Sequence, residues 1–192
     1  IKFTGVNPEK ITVTLESADE LPKGNEPVDE LVGKKFIMYI GRPTPHKNLR
    51  RLIDAFALLQ KKYPDLTLAL AGKKDSNYAR HEVYVNEHGI KNVVFTGFIS
   101  DEQLRWMYEN TAVYCFPSLS EGFGLPGLEA MLHGAPVASS TATCLPETHG
   151  DAAHYFDPYS VEDIAKSIDD ILSDDKLRNE LVKKGKKHVK TF

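Results

Sequence analysis

Ser118-Leu119-Ser120-Glu121-Gly122-Phe123-Gly124-Leu125-Pro126-Gly127-Leu128-Glu129-Ala130-Met131 is the stretch on which the reading of this chain turns. An apolar run, Val113-Tyr114-Cys115-Phe116-Pro117, precedes it and reads as a buried strand. Leu128, Ala130, Met131 and Leu132 at its end read as a helix. Between them lie three glycines, a proline and two carboxylates, Glu121 and Glu129, with seven residues separating them. Glycines at a strand-to-helix junction let the backbone approach a ligand closely, and a helix start offers free N–H groups to an anion. The same residues also read as a tight turn with two solvated glutamates. The turn alone does not choose between these, and the surrounding rhythm has to.

That rhythm is strand, helix, strand. Phe36-Ile37-Met38-Tyr39-Ile40 is apolar throughout and closes on Gly41; Leu66 to Ala71 is another such run, closing on Gly72. Asn92 to Thr96 is a third strand, ending at Gly97, and Val113 to Phe116 a fourth. Pro136 to Ser139 and Ala153 to Phe156 read as a fifth and sixth. Leu49, Leu52, Ile53, Phe56 and Leu59 recur at helical spacing, with Asn48 ahead of them as an N-cap. Further helices are expected from Asn77 to His88, from a Ser100-x-x-Gln103 capping box, after Ser160, and from Asp174 to Val189. Strands that are apolar throughout are covered on both faces. The expected fold is therefore α/β: a single Rossmann-like domain whose parallel sheet carries helices on both faces. Residues 35–192 form that domain. Residues 1–34 read as a linker in which Lys10-Ile11-Thr12-Val13-Thr14-Leu15 alternates like a strand.

Composition narrows the function. The chain has 192 residues, long enough to bury a sizeable core, with 41% hydrophobic and 27% charged residues and a formal net charge of −3. That balance gives no electrostatic footprint for nucleic acid, so an anion site has to be built locally. No apolar run approaches the length of a membrane span, and no signal-peptide pattern opens the chain. Because the first residue is Ile1, the chain is expected to be a piece of a longer one, whose targeting signals lie elsewhere. Cys115 and Cys144 lack metal-ligand spacing and read as free thiols of a reducing compartment, which points to the cytoplasm.

In open α/β sheets ligands sit at the carboxyl ends of the strands, where Gly41-Arg42, Gly97-Phe98-Ile99 and Ser118 to Gly124 fall. Arg42 and Lys47, in Gly41-Arg42-Pro43-Thr44-Pro45-His46-Lys47-Asn48, can converge on a phosphate, and two prolines stiffen the loop between them. Glu129 can accept hydrogen bonds from vicinal hydroxyls while Glu121 reaches another part of the same ligand. Two carboxylates beside an anionic ligand would repel it unless Arg42 and Lys47 offset them, so the two stretches make sense together. No Walker A and no GxGxxG pattern occurs, which disfavours a P-loop NTPase and a dinucleotide enzyme. Among the histidines, His46 reads as a solvated loop residue and His133 as a helix-end residue favourable to the dipole. Lys183 to Lys190 reads as a solvated face, with an interdomain or membrane-surface contact as the alternative.

The combination Gly41-Arg42…Lys47-Asn48 with Glu121-Gly122-Phe123-Gly124-Leu125-Pro126-Gly127-Leu128-Glu129-Ala130-Met131, continuing His133-Gly134-Ala135-Pro136-Val137, resembles the C-terminal domain of GT-B glycosyltransferases. More narrowly it resembles the retaining family 4 group, many of whose members transfer mannose or glucose. The resemblance runs from Lys35 to the C-terminus. It implies that Arg42 and Lys47 hold the diphosphate of a GDP- or UDP-hexose, that Glu121 bonds donor-sugar hydroxyls, and that Glu129 binds the ribose. Backbone groups of Gly41, Gly122, Phe123, Gly124 and Leu125 would assist, and Ile99 would face the base. It also implies no cofactor and no metal, and a glycan or lipid-linked acceptor held by an N-terminal domain outside this chain. The resulting place is cytoplasmic, including the inner face of the membrane with peripheral contact. One departure stands out: Gly127 occupies a position where the family more often has a bulkier apolar residue. A non-catalytic nucleotide-sugar or protein-binding module of the same fold is the alternative function. A glucan phosphorylase-like enzyme would need a pyridoxal-phosphate lysine that no residue here suggests.

Overall fold

The computed structural model describes residues 4–24 and 26–192. Among these, six strands form one all-parallel sheet: β1 (Phe36–Ile40), β2 (Thr67–Ala71), β3 (Val93–Gly97), β4 (Val113–Phe116), β5 (Val137–Ser140) and β6 (Ala153–Phe156). Their order across the sheet is β3-β2-β1-β4-β5-β6. The helices are α1 (Leu49–Leu59), α2 (Ser76–Glu87), α3 (Asp101–Asn110), α4 (Leu125–Leu132), α5 (Leu145–His149), α6 (Val161–Ser173) and α7 (Asp175–His188).

Both faces of the sheet are covered, which is why the strands are apolar at every position. Along β1, Ile37 and Tyr39 enter a core built with α1, α2 and α6. Phe36 and Met38 enter the opposite core, built with α3, α4 and Leu145 of α5. All four are at most 1% exposed. Local sequence starts the helices as expected. Ser100 and Gln103 form a reciprocal capping box on α3, and Asp75 and Asp174 accept the first free amides of α2 and α7.

Strand order reverses between β1 and β4, and the crevice outside their carboxyl ends is where such sheets bind ligands. The loops leaving those two strands are residues 41–48 and 117–124, the two stretches singled out in the sequence.

Several expectations are corrected. Lys10–Leu15 forms no strand: Ile11, Val13 and Leu15 are 45%, 80% and 56% exposed and pair with nothing in the sheet. An alternating pattern needs a sheet edge to pair with, and this segment reaches neither β3 nor β6. Part of the 1–34 segment does pack on the domain, with Val28 and Leu31 buried in the α3–α4 core. Asn48 stands at the N-cap position of α1 but is left-handed, with φ 60°, and caps nothing. His133 closes α4 as an acceptor rather than a cation. Leu21 N–H donates to its Nε2 at 3.3 Å, and burial, helped by Arg105, lowers its pKa. Ile1 lies outside the described residues.

Candidate active site at the carboxyl ends of β1 and β4

The Arg42–Asn48 loop begins at Gly41 and ends in a 3-10 turn, Pro45–Lys47. Two contacts join it to the loop after β4. Leu119 N–H donates to His46 C=O at 2.7 Å. The buried Asn48 amide donates to Pro117 C=O at 2.9 Å and to Pro158 C=O at 2.8 Å, while its oxygen accepts from Arg51 at 2.9 Å. Every hydrogen-bonding arm of the amide but one acceptor site is thereby used. The left-handed backbone is one that Asn tolerates, and it turns the side chain toward those carbonyls.

Stitching the loops brings Lys47 onto Glu121. Lys47 Nζ lies 2.6 Å from Glu121 Oε1, and the two side chains are only 20% and 12% exposed. The two charges offset one another in place, so the Glu121 carboxylate is not left as an uncompensated, largely buried charge. Among the described residues, Glu121 Oε2 and two Lys47 N–H groups have no hydrogen-bond partner. Arg42 takes another direction. Its side chain is 78% exposed and its Nε lies 3.5 Å from Asp75 Oδ2, so Arg42 and Lys47 are not held together. Two backbone amides, those of Tyr78 and Asn77, and the Arg42 guanidinium hold the Asp75 carboxyl below the usual carboxylate range against the opposing effect of burial.

Gly124 ends the loop in the left-handed region at φ 102°, and its carbonyl accepts Gly127 N–H at 3.0 Å to start α4. Pro126 occupies the first turn, where its missing N–H costs nothing. Glu129 follows one turn later, half-buried, with Tyr108 O–H donating to its Oε2 at 3.2 Å. Burial raises the Glu129 pKa, Asp101 and Asp19 push it the same way, and Tyr108 opposes them. Beyond Gly41, a cleft of about 590 Å³ opens between Arg42, Lys73, Asp75, Phe98 and Ile99. Phe98 is 85% exposed and stands at its rim. Of the expected residues, the structure brings Lys47 and Glu121 into contact and places Gly41, Arg42 and Ile99 on one cleft. Among the described residues no cluster of three or more His, Cys, Asp or Glu could hold a metal ion.

Residues 25–188 match the model of the family described as glycosyl transferases group 1. The chain belongs to that family. It is 34% identical over 169 residues to O-antigen chain mannosyltransferase B of Escherichia coli, covering 85% of this chain and 43% of that protein. Against the MMP alpha-(1->4)-mannosyltransferase of Mycolicibacterium hassiacum it is 32% identical, covering 87% and 41% respectively. The chain thus spans less than half the length of these relatives. Among solved structures, the C-terminal domain of the group 1 protein LpcC from Francisella tularensis superposes with a TM-score of 0.74 at 30% identity, covering 85% of this chain and 88% of that one.

In this group 1 domain several supporting residues escape a reading of the sequence. His149 is buried, with its Nδ1 3.1 Å from Ser139 Oγ and its Nε2 3.2 Å from Gly124 C=O. A carbonyl only accepts, so Nε2 carries the proton and Nδ1 accepts from the serine. Burial lowers the imidazole pKa to about 4. The same ring explains Gly127: a Cβ there would run into the His149 imidazole. The departure from the bulkier residue is a fit between Gly127 and His149. Tyr108, buried and stacked parallel to His133 at 6.1 Å, is the other supporting residue, through its bond to Glu129. Nothing in local spacing signals either pairing. No helix among the described residues is long and apolar enough to cross a membrane.

Proposed function

We propose that this chain is the donor-binding half of a retaining, family 4-like hexosyltransferase, with mannose the sugar its relatives favour. The Lys47–Glu121 pair at the β1/β4 reversal carries this reading. A nucleotide-sugar presents hydroxyls, two phosphates, a ribose diol and a base. Glu121 Oε2 accepts from sugar hydroxyls while Oε1 is held by Lys47. Lys47 and Arg42 meet the diphosphate, Arg42 leaving Asp75 to do so, which its exposed side chain is free to do. The amides of Phe123, Gly124 and Leu125 face the same ligand, with Gly41 and Gly122 leaving room for its approach. Glu129 takes the ribose diol, oriented by Tyr108, and the cleft beside Ile99 takes the base.

In the transfer, the bond from the anomeric carbon to the β-phosphate oxygen breaks and its electron pair leaves with the nucleoside diphosphate. Lys47 and Arg42 stabilise that developing charge. The acceptor hydroxyl forms the new bond on the same face of the sugar, and its proton passes to the departing β-phosphate oxygen. Such an acceptor would be held by a preceding domain, in keeping with a relative of which this chain covers only 43%.

A thermal-shift panel of GDP, UDP and ADP tests the donor site. At a hundred times Kd a nucleotide adds about 2.7 kcal/mol, which raises the melting temperature of a domain this size by roughly 5–10 °C. No shift with any of the three at millimolar concentration would overturn the assignment.

A further inference from the structure

Three residues other than glycine have positive φ among the described residues: Asn48, Asn92 and Thr143. Asparagine tolerates that region, whereas a β-branched residue is sterically disfavoured there. Thr143, at φ 51°, is the outlier, and strained residues persist only where their surroundings hold them in place. Its surroundings are the candidate site. Glu121 N–H donates to Thr143 Oγ1 at 3.1 Å, and the same hydroxyl lies 3.3 Å from Glu121 C=O, to which it donates. The adjacent Cys144 thiol reaches that carbonyl at 3.3 Å as well. No other hydrogen bond to the Glu121 backbone occurs among the described residues.

We propose that Thr143 is a positioning residue for Glu121. By gripping both peptide groups of Glu121 it sets where the carboxylate points, leaving Lys47 to hold one oxygen and the sugar to take the other. The wider loop supports this role. Ser140 O–H donates to Ser118 C=O at 2.6 Å and His149 meets Gly124 C=O, so residues 140–149 clasp the β4–α4 loop at 118, 121 and 124. Thr143 alone holds both peptide groups of Glu121; the Cys144 thiol adds a second donor to the carbonyl and leaves the N–H to Thr143. A left-handed φ lets the side chain of Thr143 reach back across the loop.

The inference rests on the donor-site reading of Glu121, and one series separates the two. Affinities of the chain for GDP-mannose and GDP, or UDP-glucose and UDP if it prefers that base, are measured for wild type, Glu121→Gln, Thr143→Gly, Thr143→Val and Thr143→Ser. Thr143→Gly relieves the backbone and removes the hydroxyl, so it folds even where Thr143→Val does not. The expected result is that Thr143→Gly and Thr143→Val weaken the nucleotide-sugar about tenfold and the nucleotide less than twofold, with Thr143→Ser restoring wild-type affinity. Amide exchange at Glu121 also accelerates in Thr143→Gly. Wild-type sugar affinity in Thr143→Gly, with Glu121→Gln impaired, overturns the role of Thr143 and leaves the donor site standing. Equal loss of sugar and nucleotide affinity overturns it too, as general loosening. Wild-type affinity in Glu121→Gln overturns both.

Discussion

Lys47 Nζ and Glu121 Oε1 stand 2.6 Å apart across loops that are 74 positions apart in the chain. Removing one partner strands a mostly buried charge, whereas removing both does not. Lys47→Ala and Glu121→Ala are each expected to cost about 1–3 kcal/mol in urea unfolding, with the double variant costing at least about 1 kcal/mol less than their sum. Strict additivity would show that the two are not coupled in solution.

Asn48 is the joint that makes this contact possible. Asn48→Ala orphans the Pro117 and Pro158 carbonyls and sets an alanine in the left-handed region, at about 1 kcal/mol for each net hydrogen bond and about 1–2 kcal/mol for the backbone, about 3–4 kcal/mol in all. Asn48→Gly keeps the backbone but not the amide, so it should recover only part of the loss and should weaken nucleotide binding as the loops separate. Unfolding and binding measured on both variants check this. An Asn48→Gly protein as stable as wild type would mean that only the φ angle matters.

Gly127 and His149 should behave as one unit. Gly127→Ala forces a methyl into the imidazole and is expected to cost about 1–3 kcal/mol. His149→Ala opens the space, so Gly127→Ala in that background should cost much less. If the cost is the same in both backgrounds, the ring is not what excludes the methyl.

His149 also sets a pH dependence. Its folded pKa is about 4, against the ordinary 6.5, so between those values the unfolded chain holds a proton that the folded chain does not. Stability therefore rises with pH across that window, is fully present above it, and is lost toward pH 4 by at most about 3 kcal/mol. Unfolding free energies between pH 4 and 7 should flatten in His149→Ala by that contribution; an unchanged slope would show that His149 is not the group responsible.

Glu129 has the opposite sign. Its folded pKa is raised, so the folded chain binds a proton more readily than the unfolded one, and stability falls as pH rises through the folded value. Glu129→Gln should raise the melting temperature at neutral pH while weakening nucleotide binding about tenfold or more. A variant both less stable and unimpaired in binding would contradict its place in the site.

How much of this is legible in the sequence follows from the range of the forces involved. The parallel sheet is readable because burial on both faces leaves continuous apolar runs such as Phe36–Ile40, and the capping box at Ser100 is readable because it is local. Lys10–Leu15 misleads because alternation states what a strand needs and not whether an edge is there to pair with it. Arg42, Lys47, Glu121 and Glu129 announce themselves by charge beside glycines. What holds them does not: Asn48 meets Pro117 and Pro158, Thr143 meets Glu121, and His149 meets Gly127. Each contact joins segments distant in sequence, and each takes its meaning only from the fold.

The most direct test of the donor site is calorimetric titration of the chain with GDP, UDP and ADP, repeated with Arg42→Ala and Glu129→Ala. One nucleotide should bind wild type, and each variant should bind it about tenfold or more weakly, as expected for loss of a charge-assisted hydrogen bond. A folded wild-type domain that binds none of the three at millimolar concentration, or variants that bind as tightly as wild type, would contradict it.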